Sequence, residues 1–374
     1  METIISAPQL VLADGMCLES GIVVVDNGQV KSIDSGKVPK SSKNAKLIRF
    51  KEGIIHPGLI DLHVHGLGTC SWRNPADLSI ALANRGTTSF LSTIPAMDCT
   101  PEKVAQYSRS IGGEKGARIL GLYLEGPFLN PEMAGAQLKD SIQLPDVRLA
   151  KKLIKSGEGN VRIMTVAPEL PGAEKIVKLL NKNGIIAAAG HSQAHYTEII
   201  HSQGVRHITH LFNRSGVWHH REPSLTGWGL LNDDVSIELI AEPSSLHPAA
   251  IKVALRMKPQ DQVVFISDSV PWDYNAKPVI KGNAVFSRDG TLQGSSWGLL
   301  PSFNWAQQVL NKDLGNLLKH VTINPAQVLN LPNKGDLKPG MDADLVLNAN
   351  GQAVLTMVEG NIVYVHSSHA DLAL

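Results

Sequence analysis

Six residues in this chain have the types and spacing to support chemistry at a metal ion. His63 and His65 stand two apart in Ile60-Asp61-Leu62-His63-Val64-His65-Gly66. Side chains alternate faces along a strand, so these imidazoles are expected to project to one side, one pleat apart. Imidazole is the commonest metal ligand, although such a pair could equally be two core histidines bonded to neighbours. The other four close apolar runs further along: Glu125 in Leu124-Glu-Gly-Pro127, His191 in Gly190-His-Ser192, His210 in His207-Ile-Thr-His210, and Asp268 in Ile266-Ser-Asp-Ser269. Imidazole with carboxylate suits Zn²⁺ or Fe²⁺, and Glu125, with two oxygens, could bridge two ions. A bound ion lowers the pKa of its water from ~15.7 to about 7. Asp268 would accept that water's proton and pass it to a leaving amine. Taken singly, each residue also has a structural reading: a strand-end histidine that packs, a turn at Glu125-Gly-Pro, a helix cap at Asp268. All six standing at strand ends together favours the chemistry.

Eight candidate strands must position them: Ile60–His65, Thr87–Thr93, Ile119–Glu125, Val161–Val166, Ile185–Gly190, His207–Phe212, Val235–Ile240 and Val263–Ser267. Between most of them lie stretches with apolar residues at three-to-four spacing, among them Val104–Ser110, Val147–Ser156, Ala173–Asn183 and Pro248–Met257. This alternation predicts an α/β fold, a (β/α)8 TIM barrel whose site gathers at the carboxyl ends of its strands. An open doubly wound sheet would usually show a Gly-rich phosphate loop after its first strand; here that strand ends in histidines. Leu299–Leu331 reads as mostly helical and is expected to cap the barrel, and Ala284–Ser296 as a short β insertion. Both ends of the chain are short β runs, with a hairpin signal at Asn27-Gly28. They are expected to build one small β-sandwich domain from residues 1–54 and 334–374, around a catalytic barrel of residues 55–333.

The bulk numbers narrow the class. Of 374 residues, 43% are hydrophobic and 18% charged, ordinary for a globular protein, and the formal net charge is +1. Such a balance offers no general attraction to nucleic acid or acidic membranes. There is no run of ~18 apolar residues to cross a bilayer, and residues 1–15 lack a signal peptide's basic and apolar regions. Cys17, Cys70 and Cys99 have no metal or redox spacing. Reduced thiols and a cytoplasmic location are expected, with a small molecule rather than nucleic acid or membrane as partner.

At these residues the chain resembles the amidohydrolase superfamily, most closely its N-acetylglucosamine-6-phosphate deacetylases. The motifs that carry the resemblance span nearly the whole chain: Pro57-Gly-Leu-Ile-Asp-Leu-His-Val-His-Gly66, Leu124-Glu-Gly-Pro-Phe-Leu129 with Gly135-Ala136, Val166-Ala-Pro-Glu169, Ala189-Gly-His-Ser192, Thr209-His-Leu-Phe-Asn213, Arg221-Glu-Pro223, Thr291-Leu-Gln-Gly-Ser295 and Lys338-Pro-Gly-Met-Asp-Ala-Asp-Leu345. The resemblance implies a divalent metal held by Glu125, His191 and His210, with His63 and His65 able to hold a second ion, and Asp268 as acid–base residue. It implies a substrate surface that includes Ala136, Gln137, Asn213, Arg214, Arg221, His247 and Leu292. In the family an Asn, an Arg and a His bind the sugar phosphate, here Asn213, Arg221 and His247. The Arg and His often come from a partner subunit, which implies a homodimer. The implied activity is hydrolysis of the acetamide of an N-acetylated amino sugar, N-acetylglucosamine 6-phosphate foremost. An unphosphorylated or non-sugar amide, or a non-catalytic interaction protein, are the alternatives. Tyr123, Gln137, Arg214, Trp218-His219-His220, Glu242-Pro-Ser-Ser-Leu-His247 and Ser267-Asp-Ser269 depart from the family pattern. The ligand positions do not.

Overall fold

The computed structural model describes residues 2–37, 45–200, 203–274 and 278–368. Eight parallel strands occupy the middle of the chain: β1 (Leu59–Val64), β2 (Thr87–Pro95), β3 (Arg118–Glu125), β4 (Val161–Val166), β5 (Ile186–Ala189), β6 (His207–Ile208), β7 (Ser236–Ile240) and β8 (Val263–Ile266). They neighbour one another in sequence order. A helix follows each: α1 (Pro75–Ala83), α2 (Pro101–Arg109), α3 (Val147–Ser156), α4 (Ala173–Lys182), α5 (Tyr196–Ile200), α6 (Ser224–Leu231), α7 (Pro248–Met257) and α8 (Leu299–Leu310). The sheet closes where β8 returns to β1. Val64 bridges Ser269 in parallel, His65 N donates to Ser269 O at 2.8 Å, and Asp268 N donates to His63 O at 2.9 Å. The Asp61 carboxylate fastens the same seam, accepting from the Ser267 amide at 3.2 Å and its hydroxyl at 2.5 Å. The molecule is therefore a (β/α)8 barrel, as the alternation predicts.

Local chemistry explains the elements. β2 reads Thr-Thr-Ser-Phe-Leu-Ser-Thr-Ile-Pro and is buried along its whole length, as suits a strand covered on both faces. Helix α2 starts with Thr100 as N-cap and Pro101 in the first turn. Asp146 caps α3, accepting from Arg148 N at 2.7 Å, and the helix buries Ala150 and Leu153.

Two expectations are refined. The sixth strand is two residues long rather than six. Thr209 N still reaches Ala189 O at 3.0 Å, but His210 and Phe212 take φ of 29° and 76° and swing the chain out of the ladder. The region after β8 divides in two. Helix α8 is the eighth helix of the outer ring, its Leu299, Leu300 and Phe303 packed into the large core. The short helix Ile323–Val328 does the closing: Ala326 and Leu329 join Ile60, Leu62, Leu91, Ile163 and Val264 in one buried cluster that fills the barrel's interior.

A second sheet draws on both ends of the chain: Thr3–Val11, Cys17–Asp26, Gln29–Ser35, Lys46–Arg49, Ile54–Pro57, Leu345–Ala349, Gln352–Val358 and Asn361–Val365. Asn27 and Gly28, at φ 50° and 81°, form its first hairpin turn. Ile54–Pro57 runs parallel to Thr3–Val11 on one side and antiparallel to Leu345–Ala349 on the other. Ile5, Leu10, Val23, Ile55, Leu345, Leu355 and Met357 form its core. Among the described residues no helix is long and apolar enough to cross a membrane.

Candidate active site

Glu125 ends β3, and the chain turns at once through Gly126, whose φ of 112° is open only to glycine at low cost. The carboxylate is buried and faces two groups of histidines. Its Oε1 lies 2.9 Å from His191 Nε2 and 3.0 Å from His210 Nε2. Its Oε2 lies 3.1 Å from His65 Nε2 and accepts from the Gln137 side-chain amide. Across the mouth, Asp268 Oδ1 stands 3.6 Å from His63 Nε2 and 3.7 Å from His65 Nε2. Two clusters result, Glu125/His191/His210 and His63/His65/Asp268, the donor atoms of each within 4.8 Å of one another. Glu125 lies between them, and His63 and His65 do share a side.

The backbone is bent to make this arrangement. His191, His210 and Asp268 sit at φ of 48°, 29° and 46°, in or near a left-handed region costing roughly 1–3 kcal/mol for residues with a side chain. Each imidazole is oriented through its far nitrogen. Nδ1 of His191 reaches Met133 O at 2.8 Å, that of His210 reaches Asn213 O at 3.0 Å, and that of His65 reaches Thr93 O at 3.1 Å. A carbonyl only accepts, so Nδ1 carries the proton and the Nε2 lone pairs face inward.

That pattern tests whether a cation fits. His191 and His210 present lone pairs to each other at 3.2 Å, beside a carboxylate. His63 Nε2 is buried with no hydrogen-bond partner among the described residues. A divalent cation at each cluster would satisfy these ligand atoms, and nitrogen with carboxylate oxygen is the set that Zn²⁺ and Fe²⁺ accept. The electrostatics agree. Burial disfavours charge on His63, but the Glu238, Asp268 and Glu125 carboxylates outweigh it and lift its pKa to about 10. Burial also works against ionised Glu125, yet His191, His210 and His65 hold its pKa well below the usual carboxylate range. Burial raises the pKa of Asp268 against the pull of His63, His210 and His65. The site is built to attract positive charge.

A cavity of about 380 Å³ opens over these groups. Ala136, Gln137, Asn213, Arg214 and Leu292 line it together with His65, Glu125, His191, His210 and Asp268. Arg221 and His247 do not face it. Arg221 lies on an exposed turn closed by the His219–Glu222 bridge. His247 caps α7, its Nδ1 accepting from Ala249 N at 3.1 Å.

Comparison with known proteins agrees with this geometry. Residues 54–363 match the family model described as the amidohydrolase family. The chain belongs to the amidohydrolase family. It is 29% identical to the N-acetylglucosamine-6-phosphate deacetylase of Bacillus subtilis, over 96% of this chain and 97% of that one. It is 31% identical to the enzyme of that name from Lysinibacillus sphaericus, over 78% of this chain and 80% of the other. The crystal structure of the Thermotoga maritima deacetylase superposes with a TM-score of 0.83 at 26% identity, covering 97% of this chain and all of that one. Divalent-metal dependence is general in the amidohydrolase family, and the two donor clusters here match it.

Two departures from the family's motifs acquire a structural meaning. Tyr123 is buried behind the site, its ring 4.7 Å from that of His63 and its hydroxyl 2.8 Å from Thr209 Oγ1. Gln137 is tied to Glu125 on one side and accepts from Ala96 N at 2.9 Å on the other. Two further residues escape the sequence reading. Glu238, inside β7, places Oε2 3.0 Å from both His63 Nδ1 and His210 N, and Oε1 2.9 Å from His207 Nε2. Its signal was available: a lone charge inside an apolar strand is buried only when paired. Tyr274, with its ring 5.8 Å from that of His65, lines the cavity from the loop after β8 and carries no motif.

Proposed function

We propose that this amidohydrolase is a metal-dependent deacetylase. It hydrolyses the acetamide of an N-acetylated amino sugar, N-acetylglucosamine 6-phosphate, to acetate and the amino sugar phosphate. The observation that carries this reading is the convergence of Glu125, His191, His210, His63 and His65 on one cavity with Asp268 at its edge, in a chain that matches deacetylases of that name over nearly its whole length. Glu125, His191 and His210 would hold the principal ion, and His63 and His65 a second. When bound, the ion supplies a water acidic enough to ionise near neutral pH and polarises the acetyl carbonyl.

The chain's own residues do the rest. The cavity holds the acetamide against the Glu125 cluster. Asp268 takes one proton of the water as its oxygen bonds to the acetyl carbon. It then returns that proton to the nitrogen as the C–N bond breaks, so the amine leaves neutral. Burial favours the protonated form of Asp268, which suits a group that must hold a proton between two steps. We infer that the native metal is Zn²⁺ or Fe²⁺, in one or two copies, and that the protein is a cytoplasmic homodimer. Unpaired Cys17, Cys70 and Cys99 support a reducing compartment. Residues 55–333 would be the catalytic unit and residues 1–54 with 334–374 the small β unit, with the strand Ile54–Pro57, which pairs in the small sheet, passing from one into the other.

The test is a screen of N-acetylated sugars, with and without phosphate, alongside metal analysis of the same sample. Release of acetate from N-acetylglucosamine 6-phosphate, lost on chelation and restored by zinc or iron, is the expected result. A second reading, an unphosphorylated or non-sugar amide, draws on Gln137, which departs from the family pattern inside the cavity. Turnover indifferent to the phosphate would favour it.

A further inference from the structure

Among the described residues, one side chain on the cavity wall is permanently cationic, Arg214. The histidines and carboxylates of that wall belong to the two donor clusters. Arg214 follows His210 by four residues, and its backbone is fixed by the same loops that hold the ligands. Its carbonyl accepts from Ser192 N at 2.9 Å, next to His191, while the preceding carbonyl, of Asn213, accepts from His210 Nδ1 at 3.0 Å. Its φ is 53°, left-handed, where a non-glycine residue stands only if its surroundings hold it.

The side chain runs across Gly135, which lines the same wall. A Cβ at Gly135 would come within 2.9 Å of Arg214 Nε and 3.3 Å of its Cγ. The missing side chain at Gly135 is therefore the space the arginine stem occupies. The guanidinium has no ion pair or hydrogen bond among the described residues. This chain's own Arg221 and His247, which the family resemblance assigns to a sugar phosphate and often to a partner subunit, do not line its wall, so Arg214 is the cation that the chain itself supplies there.

We propose that Arg214 is the specificity residue of this site: it pairs with the phosphate ester of the amino sugar from within the same chain. This rests on the deacetylase reading above. A guanidinium offers a planar fork of N–H groups that two phosphate oxygens can accept in parallel, which a lysine cannot reproduce. Seating the stem on Gly135 restricts it before substrate arrives, which lowers the ordering cost of binding.

The experiment compares kcat/KM on N-acetylglucosamine 6-phosphate and on N-acetylglucosamine for the parent, Arg214→Ala, Arg214→Lys, Gly135→Ala and Arg221→Ala. It adds calorimetric binding of glucosamine 6-phosphate and glucosamine to the same metal-loaded proteins. The preference for the phosphorylated sugar should fall roughly tenfold to a hundredfold in Arg214→Ala, carried by KM rather than kcat. Arg214→Lys should recover part of it, Gly135→Ala should lose part of it, and Arg221→Ala should lower it less than Arg214→Ala does. An unchanged preference in Arg214→Ala, or a loss confined to Arg221→Ala, overturns the proposal. If neither acetylated sugar is turned over, the deacetylase reading fails and the binding arm decides Arg214 by itself. The parent must then hold glucosamine 6-phosphate more tightly than glucosamine and lose that preference in Arg214→Ala; equal binding of the two by the parent overturns it.

Discussion

Asp268 and Glu238 are both carboxylates set among histidines, and they differ in what else they reach. The Asp268 side chain is 16% exposed and opens onto the cavity. Glu238 is sealed, with one oxygen on His63 Nδ1 and the His210 amide and the other on His207. Asp268→Asn should therefore lower kcat by roughly 10² to 10⁴ while the protein still purifies with its metal; a variant that keeps most of its turnover would remove Asp268 from the chemistry. Glu238→Gln should act on the metal instead. Losing the carboxylate behind a ligating imidazole costs roughly 10- to 100-fold in metal affinity, to be read by competition against a chelator. Affinity equal to that of the parent would reduce Glu238 to a packing residue. The contrast also marks what a sequence can disclose at this scale. Glu125, His191, His210 and Asp268 were legible because each closes an apolar run, and His63 and His65 because they stand two apart on one strand face. Glu238 sits in mid-strand, and the histidines that justify it come from two other strands.

At the scale of elements, the eight strands and most of the helices were visible in the alternation of apolar runs. Their ends were not. The sixth strand stops after Ile208 because His210 and Phe212 adopt positive φ. That conformation is imposed by the contacts of β5 and β7 rather than by local propensity. The cap was likewise read too broadly, since within Leu299–Leu331 the helices Leu299–Leu310 and Ile323–Val328 pack against different surfaces. Leu329 is 1% exposed inside the barrel cluster. Leu329→Ala should cost roughly 2–5 kcal/mol through lost contact and the cavity left behind, measured as a shift in the urea midpoint at constant slope. A shift below about 1 kcal/mol would mean the floor closes over the gap.

Over the whole molecule, two histidines away from the cavity couple stability to pH. His56 and His320 are fully buried, bonded to Pro57 O at 2.7 Å and Val263 O at 3.0 Å. Burial lowers both pKa values to about 4, against about 6.5 when unfolded. The native form thus refuses a proton that the unfolded chain accepts. Their contribution is whole above pH ~6.5 and is lost as the pH falls toward 4, by up to roughly 3 kcal/mol each. Asp61 and Glu242 act in the opposite sense. Burial raises both to about 7, so they favour the fold at low pH and lose that benefit as pH rises from about 4. A single variant separates these effects. His320→Phe should gain roughly 2–3 kcal/mol relative to the parent between pH 7 and pH 4.5; a difference that stays constant across that range would deny His320 the part.

The sheet built from both ends of the chain has a consequence for birth rather than for catalysis. Ile54–Pro57 feeds straight into the strand that bears His63 and leads to His65, and one of its two flanking strands is Leu345–Ala349. A ribosome adds about 5–20 residues per second, so every newly made copy carries that edge bare for many seconds while the barrel is still being spun out. An unpaired edge invites the wrong neighbour. The arrival of Leu345–Ala349 is thus a late latch, and until it closes that edge is open to pairing with a neighbouring nascent chain.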